Sequence, residues 1–275
     1  MRYSRLMFEK YNKKAFIGKI PQTGCLMELE PNNWITNSWY VRADYESNII
    51  RGLCRFLRPG MVCLDIGANE GLFTLLMGKR VGVRGGVYSF EPTASTFQRL
   101  QTNIKLNTMH NITAENVAVM AKAGSVEFHI GPLELCVYNS IAKVTHPGAT
   151  GGEFVRVNVP AISIDEYCVD HNINRVDCVK IDVEGAEFSV LKGMRNVLEA
   201  NREIVVLIEF CQTTAESCES SLEEMTEWIA ALGFRLFSIN VDGCLRHING
   251  SVPKGGEMLW AERSSPSIPN SPGFS

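Results

Sequence analysis

No stretch of this 275-residue chain holds the roughly 18 consecutive apolar residues that a bilayer-spanning helix needs. The first ten residues, Met1 to Lys10, carry Arg2, Arg5, Glu9 and Lys10 but no apolar core of signal-peptide length, so a cytoplasmic location is expected. Cysteine pairs of the C-x-x-C kind are missing, and nine cysteines cannot close into a disulfide framework; buried, reduced thiols are expected instead. An excess of basic charge is missing as well. The 27 Lys and Arg against 30 Asp and Glu leave a net charge of −3, which argues against a nucleic-acid partner because backbone binding needs a basic face. The five histidines share no ligand spacing. His146, in a long loop, is a candidate general base, but an ordinary surface histidine is the better reading. The 23 glycines and 11 prolines fall without a period, which excludes a fibrous chain, and no internal repeat is visible.

What is present is a strand-and-helix alternation. Two short strands, 16–20 and 25–29, flank the turn Pro21-Gln22-Thr23-Gly24. A helix over 44–57 carries Ile49, Ile50, Leu53 and Leu57 at spacings of three and four and stops at Pro59-Gly60. From Met61 onward, strands are expected at 61–66, 86–90, 112–119, 126–130, 176–181, 204–208, 234–239 and 258–261. Helices are expected at 71–80, 94–107, 187–199 and 222–232, the last opened by a capping box of Ser220 and Glu223. The pattern predicts an α/β fold with a mainly parallel sheet and helices on both faces. It divides the chain into a short-strand extension over 1–43, a main domain over 44–263 and a disordered tail over 264–275. Gly131 to Glu153 forms a long loop expected to act as a lid. Trp34, Trp39 and Tyr40 either stack on a sugar or, preferably, pack the extension onto the main domain.

Three strand ends carry the chemistry. The first is Leu64-Asp65-Ile66-Gly67-Ala68-Asn69-Glu70-Gly71, a buried strand that turns tightly into a helix. Its spacing lacks the third glycine of G-x-G-x-x-G, and a carboxylate at Asp65 would repel a pyrophosphate. It suits a ligand with a positive centre, such as the amino group and sulfonium of S-adenosylmethionine. An ordinary strand–turn–helix is the alternative. The second strand end is Phe90-Glu91-Pro92, where Glu91 is placed to accept two hydrogen bonds from a ribose diol. Asn116, at the end of the third strand, is either an adenine contact or a polar turn residue. The remaining strand end is Val179-Lys180-Ile181-Asp182-Val183-Glu184-Gly185-Ala186-Glu187. Asp182 and Glu184 there can orient a hydroxyl, take a proton or hold a cation, with Glu209 adding a third acid. A solvated strand end is the bland alternative.

Taken together, Tyr45-Glu46, Asp65 to Gly71, Phe90-Glu91-Pro92 and Lys180 to Glu187 followed by Leu191-Lys192-Gly193 resemble the FkbM-type S-adenosylmethionine-dependent methyltransferases, over about Tyr45 to Glu209. The resemblance implies a class I methyltransferase (Rossmann-like) fold whose seven-stranded sheet ends in an antiparallel strand. It also implies methylation of hydroxyl groups on sugars, polyketides or other secondary metabolites. The expected cofactor is S-adenosylmethionine, bound by Asp65, Gly67, Ala68, Asn69, Gly71, Glu91 and Asn116. The expected catalytic pair is Asp182 and Glu184. A divalent cation bridging these acids and a sugar diol stays open. The competing readings are a nicotinamide-dependent oxidoreductase, which the missing glycine disfavours, and a noncatalytic adenosine-binding module.

Overall fold

The computed structural model describes residues 15–30, 38, 40, 43–131, 141, 154–218, 220–249, 252–253 and 255–263. The long-loop expectation, apart from Gly131 and Ile141, lies outside these residues, as do His146, Trp34, Trp39 and the tail.

The chain opens with a hairpin of β1 (Phe16–Lys19) and β2 (Leu26–Leu29), paired Phe16 to Leu29 through Lys19 to Leu26. Helix α1 (Ser47–Phe56) leads to β3 (Val62–Ile66), followed by α2 (Leu72–Val81), β4 (Gly86–Phe90), α3 (Ala94–Leu106) and β5 (Ile112–Glu115). A side layer follows, made of β6 (Ala118–Val119), β7 (Gly124–Ile130) and β8 (Val155–Ile162). Helix α4 (Ile164–Asp170) returns the chain to β9 (Cys178–Ile181), α5 (Glu187–Lys192), α6 (Arg195–Ala200) and β10 (Val205–Cys211). The last segments are α7 (Gln212–Ser217), α8 (Leu222–Ala231), β11 (Arg235–Ile239), β12 (Leu245–His247) and β13 (Gly255–Glu262).

The main sheet has the order β12-β11-β13-β10-β9-β3-β4-β5. Strands β5, β4, β3, β9 and β10 run parallel, and β13 inserts antiparallel between β10 and β11. That is the arrangement implied by the resemblance, with one addition: β12 makes an eighth strand at the edge, antiparallel to β11. The chain runs outward from β3 in one direction and from β9 in the other. The cleft between their carboxyl ends is therefore the topological switch point, where open α/β sheets bind ligands.

Apolar strand residues alternate between two cores because successive side chains point to opposite faces. Cys63, Cys178, Val205 and Leu207 pack with α1, α2 and the hairpin residues Met27 and Leu29. Leu64, Val179, Ile181, Val206 and Ile208 pack with α5, α6 and α8. The hairpin thus shares the main domain's core. Its outer edge is closed by two asparagines facing it from α3: Glu28 N–H donates to Asn103 Oδ1 (2.8 Å) and Leu26 N–H to Asn107 Oδ1 (2.9 Å). Tyr40 meets Phe16 edge-on at 5.4 Å, so it serves packing.

Local expectations are corrected at several points. The helix expected over 187–199 is two helices, α5 and α6. Gly193 lies so close to the side layer that a Cβ would sit 2.1 Å from the Met120 carbonyl oxygen, and Asp165 caps the restart by accepting N–H bonds from Asn196 and Val197. The strand expected over 112–119 splits between two sheets as β5 and β6. The capping box of α8 lies one residue on, with Ser221 Oγ accepting from Glu224 N–H, in place of Ser220 and Glu223. Strand β8, helices α4 and α7 and strand β12 were not anticipated.

Candidate active site

Gly67, at the end of β3, has φ +80, and a Cβ there would lie 1.8 Å from the Asp182 carbonyl oxygen. Only glycine lets the turn after β3 nest against the turn after β9. Asp182 N–H donates to Ile66 O (3.0 Å), and the N–H groups of Gly67 and Ala68 both donate to Phe90 O (3.0 Å each). Three neighbouring strand ends are tied together by these bonds. Asn69, itself left-handed at φ +50, donates its backbone N–H to Glu91 Oε2 (3.0 Å), and Thr93 N–H donates to Glu91 Oε1 (2.9 Å). The Thr93 side chain adds a third hydrogen bond, and a carboxylate with about four lone-pair sites keeps room for a further donor. Burial pushes Glu91 up to about 7, against the pull of those hydrogen bonds.

A cleft of about 1060 Å³ of empty space, mouth included, opens above these turns. This is the size of a small-molecule site. Gly67, Ala68, Asn69, Glu91, Asp182 and Glu184 all line it. Asp65, Gly71 and Asn116 do not, contrary to expectation. Asp65 is wholly buried beneath the cleft, where its Oδ2 accepts the Thr74 hydroxyl at 2.5 Å. Gly71 caps α2, and a Cβ there would meet Leu100 Cδ1 at 2.6 Å, so its smallness serves the approach of α3. Asn116 uses its amide to donate to Glu91 O (2.8 Å) and Pro92 O (3.0 Å), holding the backbone of that turn.

At the end of β9, Lys180 stands in register with Asp65 and is only 2% exposed. Its Nζ donates to Asp182 Oδ2 at 2.7 Å and lies 4.8 Å from the Phe73 ring centre. Burial works against the ammonium, yet Asp182, Asp65 and Glu46 around it hold its pKa above the ordinary lysine value. Glu184 follows at φ +55, and Gly185 at φ +110 lets the chain pass where a Cβ would be 2.3 Å from Thr214 O. Glu187 fixes this turn from below: its Oε1 accepts the N–H groups of Val183 and Gly185, both at 3.1 Å. Burial raises Glu187 to about 7, and burial with Asp182 and its neighbours raises Glu184 and Glu209 well above the ordinary glutamate value.

Lys180, Tyr45 and Glu46 also line the cleft, and sequence reasoning gave none of them a role. A lysine inside the apolar run Val179-Lys180-Ile181 was the available signal, since a charge in a buried strand needs a partner. Tyr45 and Glu46 lie far away in sequence and arrive through the turn into α1. Lys180 is the one cation lining the cleft among the described residues, against Glu46, Glu91, Asp182, Glu184 and Glu209. On the β5 side the wall changes to apolar, with Val117, Phe128 and Ile141. Among the described residues no group of three or more His, Cys, Asp or Glu side chains is arranged to hold a metal ion. None of the described helices is long and apolar enough to cross a membrane.

Known proteins place this geometry in context. The chain is 28% identical over 163 residues to the hexuronic acid methyltransferase AglP of Haloferax volcanii, a match covering 59% of this chain and 62% of that protein. It is 24% identical over 155 residues to the 2-O-methyltransferase NoeI of Sinorhizobium fredii, covering 54% of this chain and 63% of that protein. The chain therefore spans less than two thirds of the length of these curated relatives. Among solved structures, methyltransferase FkbM from Methylobacillus flagellatus KT aligns with a TM-score of 0.48 and 17% identity, over 76% of this chain and 45% of that one. With the switch-point cleft, the turn at Gly67 and the acids at the ends of β4 and β9 in place, residues 65–236 match the methyltransferase FkbM domain, and the chain belongs to that family.

Proposed function

We propose that this protein is an S-adenosylmethionine-dependent O-methyltransferase acting on a hydroxyl group of a sugar or secondary metabolite. The observation that carries the reading is the meeting in one cleft of Glu91, with free acceptor capacity at the end of β4, and the acids at the ends of β9 and β10. Glu91 would hold the ribose diol of the cofactor, and the close backbone of Gly67, Ala68 and Asn69 would let it approach the sheet edge. The apolar wall of Val117, Phe128 and Ile141 suits an adenine ring, and the acidic wall suits the cationic end. When bound, S-adenosylmethionine supplies an activated methyl group on a sulfonium.

The protein's own part is then alignment and proton removal. Asp182, held by Lys180 on one oxygen, orients the acceptor hydroxyl with the other. Glu184, whose raised pKa makes its carboxylate the stronger base, takes the proton, and Glu209 supports it. The relatives named for hexuronic acid and for 2-O-methylation favour a carbohydrate acceptor. Titration calorimetry with S-adenosylhomocysteine and with NAD, followed by transfer of a labelled methyl group to a panel of hydroxylated saccharides, tests the reading. Binding of NAD in place of S-adenosylhomocysteine would sink it. Cofactor binding with no transfer to any acceptor would favour the noncatalytic module.

A further inference from the structure

Glu46 combines three features that no other acid of the cleft shows together. It precedes α1 with φ 42 and ψ 35, a left-handed conformation that a glutamate adopts at a cost and that aims its side chain into the cleft. Its side chain does not cap the helix, which is the ordinary use of a polar residue at that position. Its Oε2 is shut off from solvent and finds no hydrogen-bond partner. A buried carboxylate oxygen without a donor is costly, and ligand-binding sites are where such costs persist.

The two ends of the cleft decide which donor fits. Glu91 marks the ribose position in the reading above, on which this inference rests. On the β5 side the wall is Val117, Phe128 and Ile141, which suits a flat apolar ring and offers a charged group nothing. On the β9 side stand Glu46, Lys180 and Asp182. The zwitterionic aminobutyrate of the cofactor must therefore lie toward β9. Lys180 is already bonded to Asp182; Oε2 of Glu46 still lacks a donor, as does Oε2 of Glu209, which the reading above places with the acids on the acceptor side.

We infer that Glu46 is a cofactor-binding residue, its carboxylate accepting hydrogen bonds from the α-ammonium group of S-adenosylmethionine. The ammonium supplies the missing donor and neutralises a carboxylate that burial has pushed up to about 7. The same contact explains why a strained glutamate stands where glycine would be more comfortable: the backbone cost aims the carboxylate.

Calorimetric binding of two thioether nucleosides tests this without an acceptor. S-adenosylhomocysteine carries the aminobutyrate, and 5′-methylthioadenosine lacks it. Glu46→Gln should weaken S-adenosylhomocysteine by about 10- to 100-fold, the range for losing a hydrogen bond to a charged group, while leaving 5′-methylthioadenosine within about 2-fold on the same scale. Equal affinity of variant and wild type for S-adenosylhomocysteine overturns the inference. So does an equal loss for both nucleosides, which would mean a general disturbance of the cleft. Failure of the wild type to bind either nucleoside is a different result and removes the proposed function itself. Should Glu46→Gln fail to fold in a thermal melt, Glu46→Asp, which withdraws the carboxylate by one carbon, carries the same comparison.

Discussion

Gly67 is where one missing atom has the largest effect. A Cβ 1.8 Å from the Asp182 carbonyl oxygen must push the turns after β3 and β9 apart. The obstacle is the protein's own backbone, whereas sequence reasoning had placed a ligand there. Gly67→Ala should cost about 2–3 kcal/mol, the upper range for overpacking joined to an unfavourable φ, and urea denaturation with an unchanged midpoint would refute this. Asp182 concerns chemistry more than folding. Asp182→Asn keeps the shape but loses charge and basicity, and turnover should fall on the order of 10²-fold with cofactor affinity held within a few-fold. Normal single turnover in a well-folded variant would remove Asp182 from the mechanism. Glu91→Ala should act on binding instead, weakening S-adenosylmethionine by about 1–3 kcal/mol, and calorimetry showing no loss would take Glu91 out of the site.

The turn between β9 and α5 depends on a residue that touches no part of the cleft. Glu187 is buried, and one of its oxygens accepts two backbone N–H groups of the turn that presents Asp182 and Glu184. Glu187→Ala would leave both donors unsatisfied in the interior, at a cost of about 2–3 kcal/mol. The turn should loosen as well, so amide exchange at Val183 and Gly185 should rise above that of β9, and unchanged protection at both amides would argue against this role. The hairpin and α3 are coupled in a similar way: asparagines of α3 stand in for a neighbouring strand at the edge of β2, so this short edge does not face solvent unpaired.

Across the whole molecule, buried acids in and beneath the cleft make stability depend on pH. Glu46, Glu91 and Glu187 all rise from 4.5 to about 7, with burial the leading cause in each. The folded state therefore binds more protons than the unfolded chain between these values, and stability must fall as pH rises through that window. Thermal melts of the ligand-free protein should show a melting temperature that declines from pH 5 to pH 8. A melting temperature that rises across this range would contradict the burial of these carboxyls. A cationic ligand favours the ionised forms of Glu46 and Glu91, which line the cleft, so cofactor binding should release protons and tighten as pH climbs toward 8. Calorimetry in two buffers of different ionisation enthalpy reads that release directly.

Local pattern alone determined much of this. Apolar runs located β3, β4, β9 and β10, because strands buried on both faces read as continuous apolar sequence. Spacings of three and four placed α1, α3 and α8 to within three residues at each end. The places of Glu91, Asp182 and Glu184 at the cleft were legible because Glu91 and Asp182 each directly follow a strand's apolar residues and Glu184 stands two residues on. The tertiary structure decided what depends on neighbours distant in sequence. It drew Asp65 below the cleft beside Lys180, turned Gly71 toward α3 and spent the Asn116 amide on the backbone of Glu91 and Pro92. It also brought Tyr45 and Glu46 to the acids of β9 and β10, more than 130 residues away in the chain. The break between α5 and α6 at Gly193 has the same origin. A backbone from another layer passes where a side chain would be, and no periodicity within the helix records that contact.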